Sequence, residues 1–198
     1  MDMNTLVLKL IFLGLLVFNM IIRWPYKRSN AKNKIIKNEK TSLEKGLLIL
    51  ATFGIFLIPV TYVATPLLDF ANFQVSEVWG WIGIVLYFPF LWLFYKSHKD
   101  LGKNFSPTLE VREGHNLVIN GIYKYMRHPM YCALWLWAIV QALLLHNYIA
   151  GFSGIVSYGL LYSLRVKKEE GMMIKQFGQQ YKDYMAKTGR IFPKLGSS

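Results

Sequence analysis

Long apolar runs separated by short polar segments dominate the hydrophobic pattern of this chain. Proteins cross a bilayer with helices of about 20 mostly apolar residues, and proline is tolerated in such helices because neighbouring groups satisfy the carbonyl that it frees. Three runs approach this length, and the last two contain proline: residues 5–22, 46–68 and 78–95. The pattern therefore predicts three transmembrane helices in the first half of the chain.

The fourth apolar stretch, residues 132–164, is the longest and contains no charged residue. A helix of this length would measure roughly 50 Å, which is too long for one crossing and slightly short for two. The polar pair His146 and Asn147 offers a turn near the middle, and glycines in the second half allow close helix packing. We therefore predict a tight helical hairpin with spans 132–146 and 149–164. The expected fold is an all-α integral membrane protein with five transmembrane helices.

The positions of the basic residues predict the orientation of these helices. Eight Lys or Arg residues lie in 23–45, six in 96–130 and eight in 165–198, whereas 69–77 has none and Lys9 is the one remaining basic residue. Five spans place all three basic segments on the same side of the membrane, and the positive-inside rule makes that side cytoplasmic. We predict an outside N-terminus and a C-terminal helical segment in the cytosol.

Composition supports a single membrane domain over residues 1–198. Hydrophobic residues make up 54% of the chain, more than a soluble domain of this size can bury. The net charge of +12 sits in blocks between apolar runs, which suits anionic lipid headgroups rather than nucleic acid. Cys132 is the only cysteine, so an internal disulfide is impossible. The first run lacks a basic leader and a cleavage site, so we expect a retained span rather than a signal peptide.

Polar and aromatic residues cluster on both flanks of the predicted hairpin. The preceding flank contains the pattern G-x-Y-x-x-x-R-H-P-x-Y over residues 121–131. The following flank contains R-x-x-x-E-E over 165–170 and F-G-x-x-Y-x-x-Y over 177–184. Because a hairpin brings its two ends together, we predict that these flanks form one pocket at the cytoplasmic interface.

These ordered motifs resemble the isoprenylcysteine carboxyl methyltransferase family and the related phospholipid methyltransferases. The resemblance covers residues 96–194, and the short hairpin and basic tail are similar to small prokaryotic members. It implies an S-adenosylmethionine-dependent enzyme that methylates the carboxylate of a lipophilic, isoprenylcysteine-like acceptor. The partners implied are this lipid-like acceptor and the membrane lipids, and we predict no metal site.

Mapped onto this sequence, the resemblance implies a cofactor site within residues 110–194. Arg165 would face the acceptor carboxylate as the catalytic residue. Glu169 would hold a polar end of the cofactor. The full set of implied cofactor-binding residues is His115, Asn116, Leu117, Val118, Tyr123, His128, Pro129, Met130, Tyr131, Glu169 and Glu170.

The chemistry of these residue types is compatible with that assignment. Tyrosines and aliphatic side chains can enclose an adenine ring, and a glutamate can accept hydrogen bonds from hydroxyl or ammonium groups. A carboxylate acceptor is already a nucleophile at neutral pH and needs alignment rather than a base. No G-x-G-x-x-G loop after a strand is present, so the cofactor would be held by segments at the membrane edge.

Three other functions remain open at this point. An amine-directed phospholipid N-methyltransferase would need a base such as His128 or Glu169. An NADPH-dependent membrane reductase would bind a nicotinamide cofactor in a similar bundle. In a non-enzymatic scaffold, Arg165 would be an interfacial anchor and Glu169 and Glu170 would pair with neighbouring lysines.

Overall fold

The computed structural model describes residues 3–30, 35–38, 41–104, 110–112 and 116–194. Within these ranges the chain forms seven α-helices and two short strands. In chain order the elements are α1 Met3–Asn30, β1 Ile35–Asn38, α2 Ser42–Thr52, α3 Ile58–Ala64, α4 Val78–Leu101, β2 Glu110–Arg112, α5 Pro129–Leu144, α6 Tyr148–Phe177 and α7 Gln179–Lys187.

Four helical segments are long and apolar enough to cross a membrane: Thr5–Arg28, Ser42–Ala64, Val78–Leu101 and Tyr148–Phe177. They correspond to the three predicted early spans and to the second arm of the predicted hairpin. The first arm, α5, has 16 residues and a length of about 24 Å, which is shorter than a full crossing. The four long helices are confirmed as candidate spans, whereas the fifth predicted span is present only as this shorter apolar helix.

The second span contains a π-helical turn, Phe53–Leu57, between α2 and α3. The Gly54 carbonyl in this turn accepts hydrogen bonds from Gln141 Nε2 at 3.0 Å and from Ser153 Oγ at 2.7 Å. A buried carbonyl in an apolar bundle needs such partners, because no water is available to satisfy it. The irregular turn is therefore stabilised by side chains from both arms of the hairpin.

Asn147 fixes the turn of the hairpin where the sequence predicts it. Its Oδ1 accepts from the backbone N–H groups of Ile149 and Ala150, which caps α6. Its Nδ2 donates to Leu68 O at 2.6 Å and to Asn72 Oδ1 at 2.8 Å. The turn is therefore tied to the 3₁₀ segment Pro66–Ala71, which follows the second span.

Close packing of the two hairpin arms explains the glycines of α6. A Cβ at Gly151 would lie 2.5 Å from Leu145 O, and one at Gly154 would lie 2.8 Å from Gln141 Oε1. The backbone contact at Gly151 is too short for a side chain, so this position requires glycine, whereas at Gly154 the end of the Gln141 side chain would have to move. The predicted role of Gly151 and Gly154 in helix packing is confirmed.

Lys9, the one charged residue of the predicted span 5–22, is buried in the structure. Its ammonium lies 3.7 Å from the centre of the Tyr62 ring, 3.3 Å from Tyr62 O and 3.5 Å from an oxygen of Asp69. These contacts neutralise and solvate a cation inside an apolar bundle. Lys9 thus packs the first span against the second.

The two strands form an antiparallel ribbon that the all-α prediction missed. Ile35 pairs with Arg112, Lys37 with Val111 and Asn38 with Glu110. The sequence predicts only a basic loop over 23–45, but α1 continues to Asn30 and β1 follows it. Pairing between segments more than 70 residues apart leaves no local periodicity in either strand, so pattern analysis cannot detect it.

Candidate active site

The hairpin brings its two flanks together, as predicted. His128 Nδ1 lies 3.7 Å from Glu169 Oε1, and His128 Nε2 lies 3.3 Å from Glu170 Oε1. His128 is the residue before α5, and Pro129 occupies the first position of that helix, where its missing N–H costs nothing. The two flanks therefore meet at the end of the hairpin opposite the Asn147 turn.

Arg165, Glu169 and Glu170 all lie on α6, which extends beyond the predicted limit of residue 164 to Phe177. Arg165 and Glu169 are four residues apart and share one side of this helix, with Arg165 Nε 3.8 Å from Glu169 Oε2. Glu170 points in a different direction, because successive residues of a helix are rotated by about 100°. The two adjacent carboxylates consequently face different neighbours.

Glu170 is the centre of a buried ionic cluster. Its Oε1 accepts from Arg127 Nε at 3.1 Å and Nη2 at 3.0 Å, and from Arg190 Nε at 3.2 Å. Its Oε2 accepts from Arg190 Nη2 at 2.6 Å, and hydrogen bonding to Glu170 raises the pKa of Arg190. With His128 also adjacent, this carboxylate is surrounded by protein donors.

Arg127 also fastens the C-terminal segment to the site. Its Nη1 donates to Met185 O at 3.2 Å and to Thr188 O. The backbone N–H of Arg127 donates to Gly189 O, and that of His128 donates to Arg190 O, both at 2.9 Å. The segment after α7 is thus held against the residues that precede α5.

Helix α7 adds a second attachment through Tyr184. Its hydroxyl donates to Tyr123 O at 2.6 Å, and burial raises the pKa of Tyr184, so the hydroxyl keeps its proton. Tyr123 in turn donates to Ser97 O on α4 at 3.4 Å. These bonds connect α4, the 3₁₀ turn Gly121–Lys124 and α7 behind the ionic cluster.

Glu169 has a different environment from Glu170. Its side chain keeps 28% of its exposure, compared with 6% for Glu170. The Tyr131 hydroxyl donates to Glu169 Oε2, and the Tyr131 carbonyl accepts from Tyr158 at 3.2 Å. Glu169 therefore lies at an open border of the cluster and remains accessible to a ligand.

Arg165 lies between two carboxylates from different helices. Besides Glu169, it approaches Glu44 of α2, with Nη2 3.8 Å from Glu44 Oε1, and both side chains are buried. The two residues border a small cleft between α2 and α6, whose lining is Glu44, Leu47, Leu164, Arg165 and Lys168. The cleft combines three charged residues with two leucines.

Glu44, Arg127 and Arg190 are not among the implied catalytic and cofactor-binding residues, although the predicted pocket includes the flank that contains Arg127. Arg127 and Arg190 belong to the polar clusters that flank the hairpin, so the sequence contained a signal for them. Glu44 is the third residue after Thr41, the N-cap of α2, and its N–H donates to Thr41 Oγ1 at 3.2 Å. The Thr-x-x-Glu spacing indicates helix capping, so the sequence gives no separate reason to assign the Glu44 carboxylate to the site.

Several predicted cofactor residues lie away from the ionic cluster. Asn116 donates its N–H to Asn104 Oδ1 at 2.9 Å, and Val118 and Met130 pack against the main hydrophobic core. Leu117 is half-buried, and His115 lies outside the described residues. The structure thus brings together His128, Tyr131, Arg165, Glu169 and Glu170, and the cofactor roles of all the implied residues stay predictions.

Comparison with known proteins identifies the segment that contains most of this site. The sequence model of the Isoprenylcysteine carboxyl methyltransferase (ICMT) family matches residues 81–175. A protein-S-isoprenylcysteine O-methyltransferase of Dictyostelium discoideum is 42% identical over 87 residues, which are 42% of this chain and 36% of that protein. The human protein of the same name is 33% identical over 97 residues, 47% of this chain and 34% of its own length.

Residues 81–175 are thus similar to the isoprenylcysteine carboxyl methyltransferase family. The chain spans only about a third of the length of these two relatives. A solved eukaryotic intramembrane Ras methyltransferase of this type superposes with a TM-score of 0.53 over 81% of this chain and 55% of that one, at 24% identity. This likeness shows a shared fold.

The family match and the four candidate spans together make the chain an integral membrane protein. His128, Tyr131, Arg165, Glu169 and Glu170 all fall inside the isoprenylcysteine carboxyl methyltransferase segment. Glu44 and Arg190 fall outside it. The second span and the C-terminal tail therefore add charged residues to a site built mainly by the segment that matches the family.

Proposed function

We propose that this chain is a membrane S-adenosylmethionine-dependent methyltransferase that acts on the carboxylate of a lipophilic, isoprenylcysteine-like acceptor. The observation that carries the proposal is the position of Arg165. Its buried guanidinium borders a small cleft that also contains Leu47 and Leu164 and lies 3.8 Å from Glu169, inside the segment that matches the carboxyl methyltransferase family. A carboxylate attached to a lipid is the ligand that this combination suits best.

The residues around Glu169 fit the chemistry of S-adenosylmethionine. Glu169 is partly exposed and lies beside the rings of Tyr131 and His128, whose centres are 5.3 Å apart. The carboxylate would accept hydrogen bonds from hydroxyl or ammonium groups, and the rings together with Leu117 and Val118 would contact an apolar base. When bound, the cofactor supplies a methyl group on a positively charged sulfur. Glu170 would support this side by fixing His128.

The acceptor would be oriented rather than activated by a base. A carboxylate is ionised at neutral pH, so the protein has to align it and exclude water, an effect that is worth roughly 7–11 kcal/mol in well-oriented reactions. Arg165 would hold the carboxylate, and Leu47 and Leu164 would contact the adjoining lipid. Lys168, at the border of the same cleft, adds positive charge that attracts an anionic acceptor.

Binding and turnover of the full chain in detergent test the proposal. Calorimetry should detect S-adenosylmethionine binding that Glu169→Ala weakens by at least about tenfold, because the mutation removes the accepting carboxylate. Glu77→Ala is the matched control, since Glu77 is an exposed glutamate at the start of α4, away from the site. An absence of S-adenosylmethionine binding to the wild-type chain would overturn the proposal.

A panel of acceptors separates the competing reactions. Transfer of a labelled methyl group to S-farnesyl-N-acetylcysteine supports the carboxyl methyltransferase. Transfer to ethanolamine phospholipids alone would instead support an amine-directed enzyme, with His128 or Glu169 as the base. Binding of NADPH in place of S-adenosylmethionine would indicate a reductase. Activity that survives both Arg165→Ala and His128→Ala would contradict the proposed site.

We also infer that the site faces the cytosol, with the N-terminus outside and α7 inside. The basic residues before α2, after α4 and after residue 164 support this orientation. The short helix α5 would then cross a locally thinned bilayer together with the longer α6. In this arrangement a soluble cofactor reaches Glu169 from the cytosol, and a lipid acceptor reaches Arg165 from the membrane.

A further inference from the structure

Glu44, in the first turn of α2, reaches the candidate site from the second span. It is 3% exposed, and its Oε1 lies 3.8 Å from Arg165 Nη2. Arg165 Nε lies at the same distance from Glu169 Oε2. The guanidinium is thus placed between a carboxylate of its own helix and one from a different span.

These separations differ from those of the neighbouring ionic cluster. Arg190 Nη2 and Glu170 Oε2 are 2.6 Å apart, which is a direct charge-assisted hydrogen bond. At 3.8 Å, Glu44 instead attracts Arg165 through space, and burial strengthens this attraction because the surroundings are less polarisable than water. Such a contact contributes to the orientation of the guanidinium.

The position of Glu44 balances the pull of Glu169. Glu169 lies one helical turn beyond Arg165 and would, without a second carboxylate, draw the guanidinium toward His128 and Tyr131. Glu44 attracts it from α2 and lines the same cleft as Arg165, together with Leu47, Leu164 and Lys168. The direction of the Arg165 fork therefore depends on both carboxylates.

We propose that Glu44 is a positioning residue that directs Arg165 toward the carboxylate of the acceptor. This inference rests on the proposed function, because it assigns Arg165 to an anionic lipid. It also gives the part of the chain before residue 81 a role in acceptor recognition. The binding of an acceptor without a carboxylate would not depend on Glu44, since such an acceptor forms no ion pair with the Arg165 guanidinium.

The test compares the full-length wild type with Glu44→Gln, Glu44→Asp and the control Glu77→Gln in detergent. The probes are S-farnesyl-N-acetylcysteine as acceptor and its carboxamide as an inhibitor. Glu44→Gln keeps the shape of the side chain and removes its charge, so we expect the KM for the carboxylate to rise about tenfold. Glu44→Asp keeps the charge but shortens its reach, and its KM should lie between those of Glu44→Gln and the wild type.

The inhibition constant of the carboxamide and the KM for S-adenosylmethionine should change less than twofold in all variants. If Glu44→Gln leaves the KM for the carboxylate unchanged, the inference is wrong while the proposed function stands. If Glu44→Gln weakens the binding of the carboxylate, the carboxamide and S-adenosylmethionine to the same extent, Glu44 only stabilises the fold and the inference is again wrong. A wild-type chain that methylates no carboxylate would overturn both.

Discussion

Arg127 and Glu170, 43 residues apart in the chain, form a buried pair in which two guanidinium nitrogens donate to one carboxylate oxygen at 3.1 and 3.0 Å. The same Arg127 binds backbone carbonyls of Met185 and Thr188. This relationship joins the residue before His128, the end of α6 and the C-terminal segment. It also gives the two adjacent glutamates different roles. Glu170 is buried in ion pairs that stabilise the fold, whereas Glu169 is partly exposed.

Neutralising Glu170 should therefore destabilise the protein far more than neutralising Glu169. Glu170→Gln leaves the buried Arg127 without its ionic partner, and removing one member of a buried pair costs about 3–5 kcal/mol. Glu169→Gln, at a partly exposed position, should cost less than about 1 kcal/mol. The free energies of unfolding are measured by denaturant titration in mixed micelles, and equal losses for the two variants would refute this division.

Replacing Arg127 by lysine should loosen the C-terminal segment while the membrane helices stay folded. A single ammonium cannot reproduce the planar fork that binds Glu170 and two backbone carbonyls. Hydrogen exchange of the amides in 179–190 should accelerate at least about tenfold, as expected from the loss of one or more hydrogen bonds to a charged group. Lys124→Ala is the control, because Lys124 is exposed and lies only three residues before Arg127, and it should leave the exchange rates unchanged.

Two glycines of the second span should respond in opposite ways to alanine. A Cβ at Gly54 would lie 2.0 Å from Ser157 Oγ and 2.4 Å from Ser153 O, so Gly54→Ala must separate the second span from α6. A Cβ at Gly46 has nothing within 4 Å, and Gly46→Ala should be neutral or stabilise the helix by up to about 1 kcal/mol. Thermal unfolding in detergent distinguishes the two, and a Gly54→Ala variant as stable as the wild type would contradict this packing.

The proposed orientation predicts which introduced cysteines are labelled from outside. In a Cys132→Ala background, Ser76→Cys should react with a membrane-impermeant maleimide in intact cells. Asp183→Cys on α7 should react only after the membrane is permeabilised, because the basic side is expected in the cytosol. Both positions are exposed in the fold, so access alone does not distinguish them. Reaction of both cysteines in intact cells would contradict an odd number of membrane crossings between residues 76 and 183.

The sequence predicted the helices and the hairpin because hydropathy is a local property. An uncharged stretch of residues 132–164 has to be buried or lie in lipid, and Asn147 is a polar residue where a turn is needed. Once the stretch folds back, the flanking motifs must meet, and His128 does lie within 4 Å of Glu169. The family resemblance came from the same ordered motifs.

The division of labour inside the site depends on the tertiary structure. Glu169 and Glu170 are adjacent and identical in kind, and only the rotation of α6 relative to its neighbours decides which one faces Arg127. The contact of Glu44 with Arg165 cannot be predicted from the sequence either, because the spacing of Glu44 from Thr41 indicates only a helix cap. The hydrophobic pattern also did not predict how short α5 is, since apolarity alone does not determine where a helix begins and ends.

The sequence alone determined which segments are apolar, where the chain must turn and which segments between the apolar runs are basic, since each depends on residues close together in the chain. The tertiary structure decided which carboxylate faces which guanidinium and that a strand at Ile35–Asn38 pairs with one at Glu110–Arg112. Those outcomes depend on the relative rotation and distance of segments that lie far apart in sequence. No local pattern encodes them, because the contacts exist only after the helices have packed.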